Sequence, residues 1–222
     1  YGYRENDPMG GHDPYSSSKG CAEILTSSYR NSFWDTDRFD TEHHVLLASC
    51  RAGNVIAGGD WAQDRLIPDI VRAVANNENL VIRNPYATRP WQHVLDPLSG
   101  YLLVGQNLLD QKKLFAKAWN FGPSDESCLY VKDVIIKMQE SWPELNVIYD
   151  NSTKPHEARL LKLDCSQAHV ELLWKPVWEY SSIFRKTAEW YKEYSRNNRI
   201  ISSDQIDEYV SEARDNELVW TK

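Results

Sequence analysis

A tyrosine and a lysine stand four residues apart near the start of the chain, in the sequence PYSSSKGCAE, as Tyr15 and Lys19. Pro14 and the residues after it predict a helix that runs to about Phe33. Residues i and i+4 share one face of a helix, so we expect the Lys19 ammonium group beside the Tyr15 phenol. A nearby cation favours the phenolate, which would make Tyr15 a general base for a sugar or alcohol hydroxyl. Taken alone the pair is a weak signal, because chance produces one in about half of such sequences.

A glycine-rich segment, CRAGNVIAGGDW, follows a predicted buried strand and spans Cys50–Trp61. Arg51 and Asn54 come at the carboxyl end of that strand, where open α/β sheets bind their ligands. The glycines would let backbone N–H groups approach an anion. A glycine-rich loop by itself is more often a tight turn, and this alternative stays open.

Arginine and histidine side chains define two further candidate segments. In RPWQHVLDPLSGYL, Arg89 could hold a diphosphate with two parallel hydrogen bonds. Trp91 and His93 fit packing positions, and Asp96 is a plausible helix N-cap. The segment PHEARLLKLDCSQA holds His156 and Glu157. Composition alone favours a plain polar surface there, with Asp164 capping the helix that follows.

The elements that position these residues alternate between strand and helix. The helix from Pro14 has a predicted buried stripe, formed by Ala22, Ile24, Leu25 and Tyr29. It is followed by a strand in 44–52, a glycine-rich loop and a helix with Pro68 in its first turn. Short strands are predicted at 80–84, in KAWNFG and in NVIYD, and helices at VKDVIIKMQESW, about 180–197 and about 203–215. This alternation is typical of a parallel α/β sheet. Trp174, Trp178 and Trp190 are expected to be core or interface residues.

Composition narrows the classes of partner. The net charge is −7 and the isoelectric point about 5.4, which argue against nucleic acid or an anionic membrane as the main partner. No apolar run is long enough to span a bilayer, and no signal peptide is visible. The four cysteines are widely spaced, as in reduced intracellular proteins, so the expected location is the cytoplasm. The His43–His44 pair has no other ligand type nearby, so no metal site is predicted.

Five segments in order resemble the extended short-chain dehydrogenase/reductase superfamily, and within it the CDP-glucose 4,6-dehydratases. They are Tyr15-x-x-x-Lys19, RAGNVIAGGDW, RPWQHVLDPLSGYL, NFGP and KPHEARLLKLDCSQA, and together they cover nearly the whole chain. RAGNVI-x-GGDW followed by DRLIPD is typical of that dehydratase group. Ala57 stands where a glycine is expected and Gln167 where a lysine is usual, but neither departure removes a named catalytic group.

The resemblance implies the later part of a Rossmann-type parallel sheet plus a smaller mixed α/β region that binds substrate. Residues 1–122 would be the remainder of the NAD-binding domain, with substrate-binding segments interleaved at about 54–94, and residues 123–222 the C-terminal substrate-binding region. The superfamily's first βαβ unit, with its glycine-rich phosphate loop, and the Thr/Ser-Asp-Lys segment are not in this sequence. We therefore expect the chain to be the C-terminal part of a longer polypeptide. The resemblance also implies a homodimer or higher homo-oligomer, with the Tyr15 helix in a four-helix interface.

For the intact enzyme the resemblance implies dehydration of CDP-glucose to CDP-4-keto-6-deoxyglucose through transient hydride transfer to bound NAD, in deoxysugar and O-antigen precursor synthesis. Tyr15 would take the proton of the 4-hydroxyl, and Lys19 would assist it and hold the nicotinamide ribose. The implied substrate-binding residues are Asn54 and Arg89 at the diphosphate, Arg65 near the nucleobase and its phosphates, and His156 or Glu157 at a ribose.

Two alternatives to the dehydratase stay open. One is a nucleotide-sugar epimerase or decarboxylase of the same superfamily. The other is a non-catalytic segment that binds only a nucleotide-sugar or a subunit partner, because the dinucleotide-binding half is not in this sequence. The dipeptide after the upstream Thr/Ser would separate the enzymes, and NAD content after purification would separate an enzyme from a binding segment.

Overall fold

Helices and strands alternate along the chain, which confirms the predicted α/β class. The computed structural model describes residues 2–123, 128–150 and 162–222. Its α-helices are α1 Pro14–Phe33, α2 Leu66–Asn76, α3 Leu95–Leu109, α4 Val131–Ser141, α5 Ser166–Glu171, α6 Tyr180–Asn197 and α7 Ser202–Asp215. Its strands are β1 Ser49–Ala52, β2 Asn54–Ile56, β3 Leu80–Ile82, β4 Thr88–His93, β5 Ala118–Phe121, β6 Cys128–Tyr130 and β7 Val147–Tyr149. Within these ranges no helix is long and apolar enough to cross a membrane.

Helix α1 begins where the sequence predicts, and its cap explains the serine-rich start. The Asp13 carboxylate accepts hydrogen bonds from the backbone N–H groups of Tyr15 and Ser16, at 2.9 and 3.0 Å. The Ser16 hydroxyl closes a reciprocal capping box with Asp13, and Pro14 occupies the first turn, where no N–H partner is required. The run of poor helix formers therefore serves the helix end rather than its interior.

The predicted buried stripe on α1 is wrong. Gly20 is the only buried residue of this helix, whereas Ile24 and Leu25 are 58% and 59% exposed and Tyr29 is 45% exposed. The periodicity correctly indicates an apolar face, but no element in the described part of the chain covers that face. Phe33 is likewise 62% exposed. A helix with such a face is stabilised when another surface packs against it.

The described strands form three small sheets. One pairs β1 with β5, one has the order β2-β4-β6, and one pairs β3 with β7. All pairs are parallel except β4 with β6. The strand predicted at 44–52 is shorter than expected, because residues 44–48 hold no regular structure. The predicted glycine-rich loop, in turn, contains β2, whose three residues pair in parallel with β4.

Two hydrophobic clusters hold these sheets and helices together. The larger joins α2, β3, β4, α4, α6 and α7, and includes the buried Trp178 and Trp190. The smaller joins α3, β5 and α5 around Trp119 and Trp174, both fully buried. The prediction that Trp174, Trp178 and Trp190 are core residues is confirmed. Helices α6 and α7 also match their predicted ranges to within one residue.

Asp96 does not cap α3, because that helix begins one residue earlier, at Leu95. The Asp96 carboxylate is instead buried and accepts hydrogen bonds from the Val177 N–H at 2.8 Å and the Tyr209 hydroxyl at 2.9 Å. Burial raises the pKa of Asp96 to about 6. This contact ties the start of α3 to α7. Asp164 does not occupy the N-cap position of α5 either, because that position is held by Cys165, although the Asp164 carboxylate accepts from the Ser166 N–H at 2.9 Å just before the helix.

Candidate active site

A cleft of about 930 Å³ brings together four of the seven predicted site residues. Tyr15, Asn54, Arg65 and Arg89 all line it. Tyr15 comes from the first turn of α1, Arg65 precedes α2, and Asn54 and Arg89 come from the paired strands β2 and β4. Asn54 and Arg89, thirty-five positions apart in the sequence, thus face one space because the parallel pairing places their strands side by side. The cleft is within the size range typical of small-molecule sites.

Tyr15 and Lys19 lie together on the exposed side of α1. The Lys19 ammonium nitrogen is 5.7 Å from the centre of the Tyr15 ring. Tyr15 is 73% exposed and faces the cleft, with Lys19 one turn behind it. The two side chains neither diverge nor pack into the interior. The arrangement predicted from their spacing is therefore present, and their chemical roles stay predictions.

Glu23 fixes this face of α1 against the first sheet. Glu23 follows Lys19 by one more turn, and its carboxylate contacts Arg51 at 2.8 Å and accepts from the Ser49 hydroxyl at 2.9 Å. Burial by itself raises the pKa of Glu23, but the hydrogen bonds from Arg51 and Ser49 outweigh it and leave that pKa below its ordinary value. Arg51, which the sequence suggested as a ligand contact, is thus engaged inside the protein and does not line the cleft.

Asn54 and Arg89 lie on adjacent strands of the β2-β4-β6 sheet. Asn54 pairs with Trp91, two residues beyond Arg89, so both polar side chains belong to the same stretch of the cleft floor. The Arg89 guanidinium donates to the Thr88 carbonyl at 3.0 Å and is half-buried. A half-buried guanidinium on an ordered strand is a planar donor that can hold two oxygens of an anion such as phosphate.

Arg65 stands at the lip of the cleft, immediately before α2. Its guanidinium lies 3.4 Å from the Asp60 carboxylate, and the Arg65 side chain is 66% exposed whereas that of Asp60 is 36% exposed. The loop that carries them is fastened by Arg72 of α2, which donates to the carbonyls of Trp61 at 3.0 Å and Ala62 at 3.2 Å. The lip is therefore held by α2 itself.

The glycines of this loop serve packing rather than an anion cradle. A Cβ added to Gly58 would lie 2.0 Å from Cγ of Trp190, and Gly59 has a φ of +85°. The Tyr191 hydroxyl donates to the Asp60 carbonyl at 2.7 Å. The turn interpretation of the glycine-rich segment therefore describes it better, and the glycines let α6 approach the loop closely.

Of the remaining candidate side chains, Trp91 lines the cleft, and the others fall outside it or outside the described residues. His156 and Glu157 belong to the latter group, so their predicted ribose contact stays a prediction. Trp91 and His93 are buried, as their packing interpretation requires. Burial of the His93 ring lowers its pKa to about 3, with Lys186 adding to the effect, so this histidine is neutral. Within the described ranges no group of three metal-ligating side chains is present.

Sequence reasoning missed Arg83, which also lines the cleft. It comes directly after β3, at the carboxyl end of a parallel strand. That position is the same signal that drew attention to Asn54, and it could have identified Arg83 as well.

Comparison with known proteins gives consistent results. Residues 1–187 match the model of the family described as GDP-mannose 4,6 dehydratase. The chain is 49% identical over 214 residues to the CDP-glucose 4,6-dehydratase of Salmonella typhimurium, covering 95% of this chain and 59% of that protein. The chain thus spans about three fifths of that relative's length.

Solved structures with low sequence identity share the fold. The dTDP-glucose 4,6-dehydratase of Bacillus anthracis, solved in complex with NAD, superposes with a TM-score of 0.67 at 17% identity, over 89% of this chain and 57% of that one. The dTDP-glucose 4,6-dehydratase of Streptomyces venezuelae gives 0.66 at 19% identity, over 87% and 55%. At these identities the likeness concerns the fold alone.

Proposed function

Because the chain belongs to the GDP-mannose 4,6 dehydratase family, we propose that it forms part of a CDP-glucose 4,6-dehydratase. The reaction would convert CDP-glucose to CDP-4-keto-6-deoxyglucose. The observation that carries the proposal is the placement of Tyr15, backed by Lys19, at a cleft that also holds Asn54 and Arg89. The 49% identity to the Salmonella CDP-glucose 4,6-dehydratase supports this substrate among the nucleotide-sugars.

The residues present fit the nicotinamide end of NAD. Tyr15 and Lys19 are both exposed, and Lys19 makes no ion pair with any residue in the described ranges, so its ammonium donors are available to a ribose. NAD, when bound, supplies a hydride acceptor that later returns the hydride. Because Tyr15 lines the cleft, this cofactor position would adjoin the substrate position.

The chain's own groups would divide the work between proton transfer and binding. Tyr15, as phenolate, would take the proton of the substrate 4-hydroxyl, and the Lys19 charge would favour that phenolate. Asn54 and Arg89 would hold the diphosphate, with Arg89 supplying charge and paired donors. Arg65 at the lip would contact the nucleotide. A diphosphate held at the far side of the hexose fixes the 4-hydroxyl relative to Tyr15.

The proposed function also includes self-association, a cellular location and a biosynthetic role. A homodimer or higher homo-oligomer is supported by the exposed apolar side chains of α1 and by Leu98 and Leu102 of α3, which are 42% and 74% exposed. The protein would act in the cytoplasm, in the synthesis of deoxysugar and O-antigen precursors. The division into residues 1–122 and 123–222 stays a prediction.

The test uses the full-length protein to which this chain belongs. Incubation with CDP-glucose should give a ketosugar nucleotide lighter by one water, detected by mass spectrometry, with protein-bound NAD neither consumed nor required in excess. dTDP-glucose and GDP-mannose serve as competing substrates. A product of unchanged mass would indicate an epimerase instead, and failure of an NAD-loaded protein to convert CDP-glucose would refute the proposal.

A further inference from the structure

We propose that Arg83 is a further substrate-binding residue, whose guanidinium contacts the diphosphate of the nucleotide in the cleft that Arg89 also lines. This inference rests on the proposed function, since it takes a nucleoside diphosphate as the ligand. Arg83 was not predicted from the sequence and comes from a different sheet than Asn54 and Arg89.

The backbone on both sides of Arg83 is held in place. On one side, β3 pairs with β7, and the Ile82 carbonyl accepts from the Asp150 N–H at 2.9 Å. On the other, the Asn84 carbonyl accepts from the Ala87 N–H at 3.3 Å. Ile82 is also buried in the larger hydrophobic cluster. The Arg83 side chain therefore projects from an ordered position, as a binding residue requires.

No acidic side chain in the described part of the protein forms an ion pair with Arg83. Its side chain is exposed to the cleft and makes no ion pair with any residue in the described ranges. The cleft is lined by the carboxylates of Asp60, Asp64 and Asp69. Asp60 lies against Arg65 and Asp69 is paired with Arg72, and no ion pair joins Asp64 to Arg83, two residues that the structure describes. Arg83 thus presents a full positive charge to the space that Arg89 also faces.

Two guanidinium groups that face one cleft favour an anion between them. A guanidinium is always charged, carries five donors and no acceptor, and matches phosphate oxygens with two parallel hydrogen bonds. A nucleobase edge offers neutral acceptors and would leave this charge without a counter-ion. The diphosphate is the part of a nucleotide-sugar that satisfies both the charge and the donors.

The experiment measures binding of CDP and of cytidine to the full-length protein by calorimetry. We expect Arg83→Met to weaken CDP binding about tenfold to a hundredfold while cytidine binding is unchanged, because only CDP carries the phosphates. Arg83→Lys should retain part of the CDP affinity, since it keeps the charge and loses the paired geometry. Arg185→Met is the matched control, because Arg185 is exposed on α6 and does not line the cleft.

Equal CDP affinity in the Arg83→Met variant and the wild type would overturn the inference. A loss of cytidine affinity as large as the loss of CDP affinity would also overturn it. UDP and dTDP, measured in parallel, separate this inference from the proposed function. If the protein prefers UDP or dTDP and Arg83→Met still loses that diphosphate, the inference stands while the assignment to CDP-glucose fails. If the wild type converts CDP-glucose and the Arg83→Met variant binds CDP normally, the assignment to CDP-glucose stands while the inference about Arg83 fails.

Discussion

The guanidinium of Arg51 lies 2.8 Å from the carboxylate of Glu23, and this ion pair joins β1 to the helix that carries Tyr15. Tyr15, Lys19 and Glu23 follow one another at four-residue spacing and share a face of α1. The two paired side chains are only 18% and 19% exposed, so their interaction is shielded from solvent. The pair therefore helps to set the orientation of Tyr15 relative to the sheet.

Replacement of Glu23 by Gln should lower the free energy of unfolding by about 1–3 kcal/mol, because it leaves the Arg51 charge poorly compensated in a half-buried site. Glu42→Gln is the control. Glu42 pairs with Arg38 at 3.1 Å, but the two side chains are 61% and 39% exposed, and a surface pair of this kind contributes about 0–1 kcal/mol. Denaturant unfolding of the two variants in the full-length protein gives the comparison, and equal losses would contradict the assignment.

The same pair predicts a pH dependence. The pKa of Glu23 is lower in the folded protein than its ordinary value of 4.5, so its contribution to stability is present above pH 4.5. That contribution is lost as the pH falls through and below this value, because the unfolded state then binds a proton more readily. The stability difference between wild type and Glu23→Gln should therefore shrink with acidification. A difference that stays constant from neutral pH to below the folded pKa would contradict the prediction.

Substitution at Gly58 tests the close approach of α6 to the loop at the lip of the cleft. A Cβ at this position would lie 2.0 Å from Trp190, so Gly58→Ala should cost about 1–3 kcal/mol of stability through forced displacement. Gly10→Ala is the control, since its Cβ would meet nothing within 4 Å and the residue lies outside the helices of the proposed interface. That change should stabilise the protein by about 0.4–1 kcal/mol, because it restricts the unfolded chain. Thermal unfolding that moves both variants in the same direction would refute this account of the loop.

The exposed apolar faces of α1 and α3 predict the surface of self-association. Leu25→Glu combined with Leu102→Glu should shift the full-length protein toward monomers, because charged groups would be desolvated in the interface. Leu173→Glu is a control of the same type at a 61% exposed leucine just after α5. Light scattering after gel filtration gives the mass, and an unchanged oligomer in the double variant would place the interface elsewhere.

The order of the helices and of strands β1, β3, β5 and β7 could be predicted because each is encoded locally. The capping residues Asp13 and Ser16 determine where α1 begins, and the apolar periodicity determines the extent of α6. Burial on α1 could not be predicted in this way, because a periodic apolar face does not reveal whether an element covers it. Strands β2, β4 and β6 were missed, because β2 and β6 are too short for a periodic pattern and β4 shows no alternation of apolar and polar residues. They form through pairing with one another.

The candidate site was predicted in part for similar reasons. Tyr15, Asn54, Arg65 and Arg89 belong to segments whose residue types suggest chemistry, and the structure places them at one cleft. Arg51 stands in such a segment too, but its partner Glu23 lies twenty-eight positions earlier, and only the packing of α1 on β1 brings them together. Arg83 escaped notice because it stands alone in its segment, and its significance depends on the space that it faces.

Tyr15→Phe in the full-length protein tests whether Tyr15 performs proton transfer at this cleft. Tyr29→Phe is the matched control, because Tyr29 lies on the same helix and its ring contacts are with Phe33 and Trp34. We expect Tyr15→Phe to lower the rate of ketosugar formation from CDP-glucose by about 10²- to 10⁴-fold, with NAD and CDP still bound, whereas Tyr29→Phe should turn over normally. Normal turnover by Tyr15→Phe would contradict this role of Tyr15.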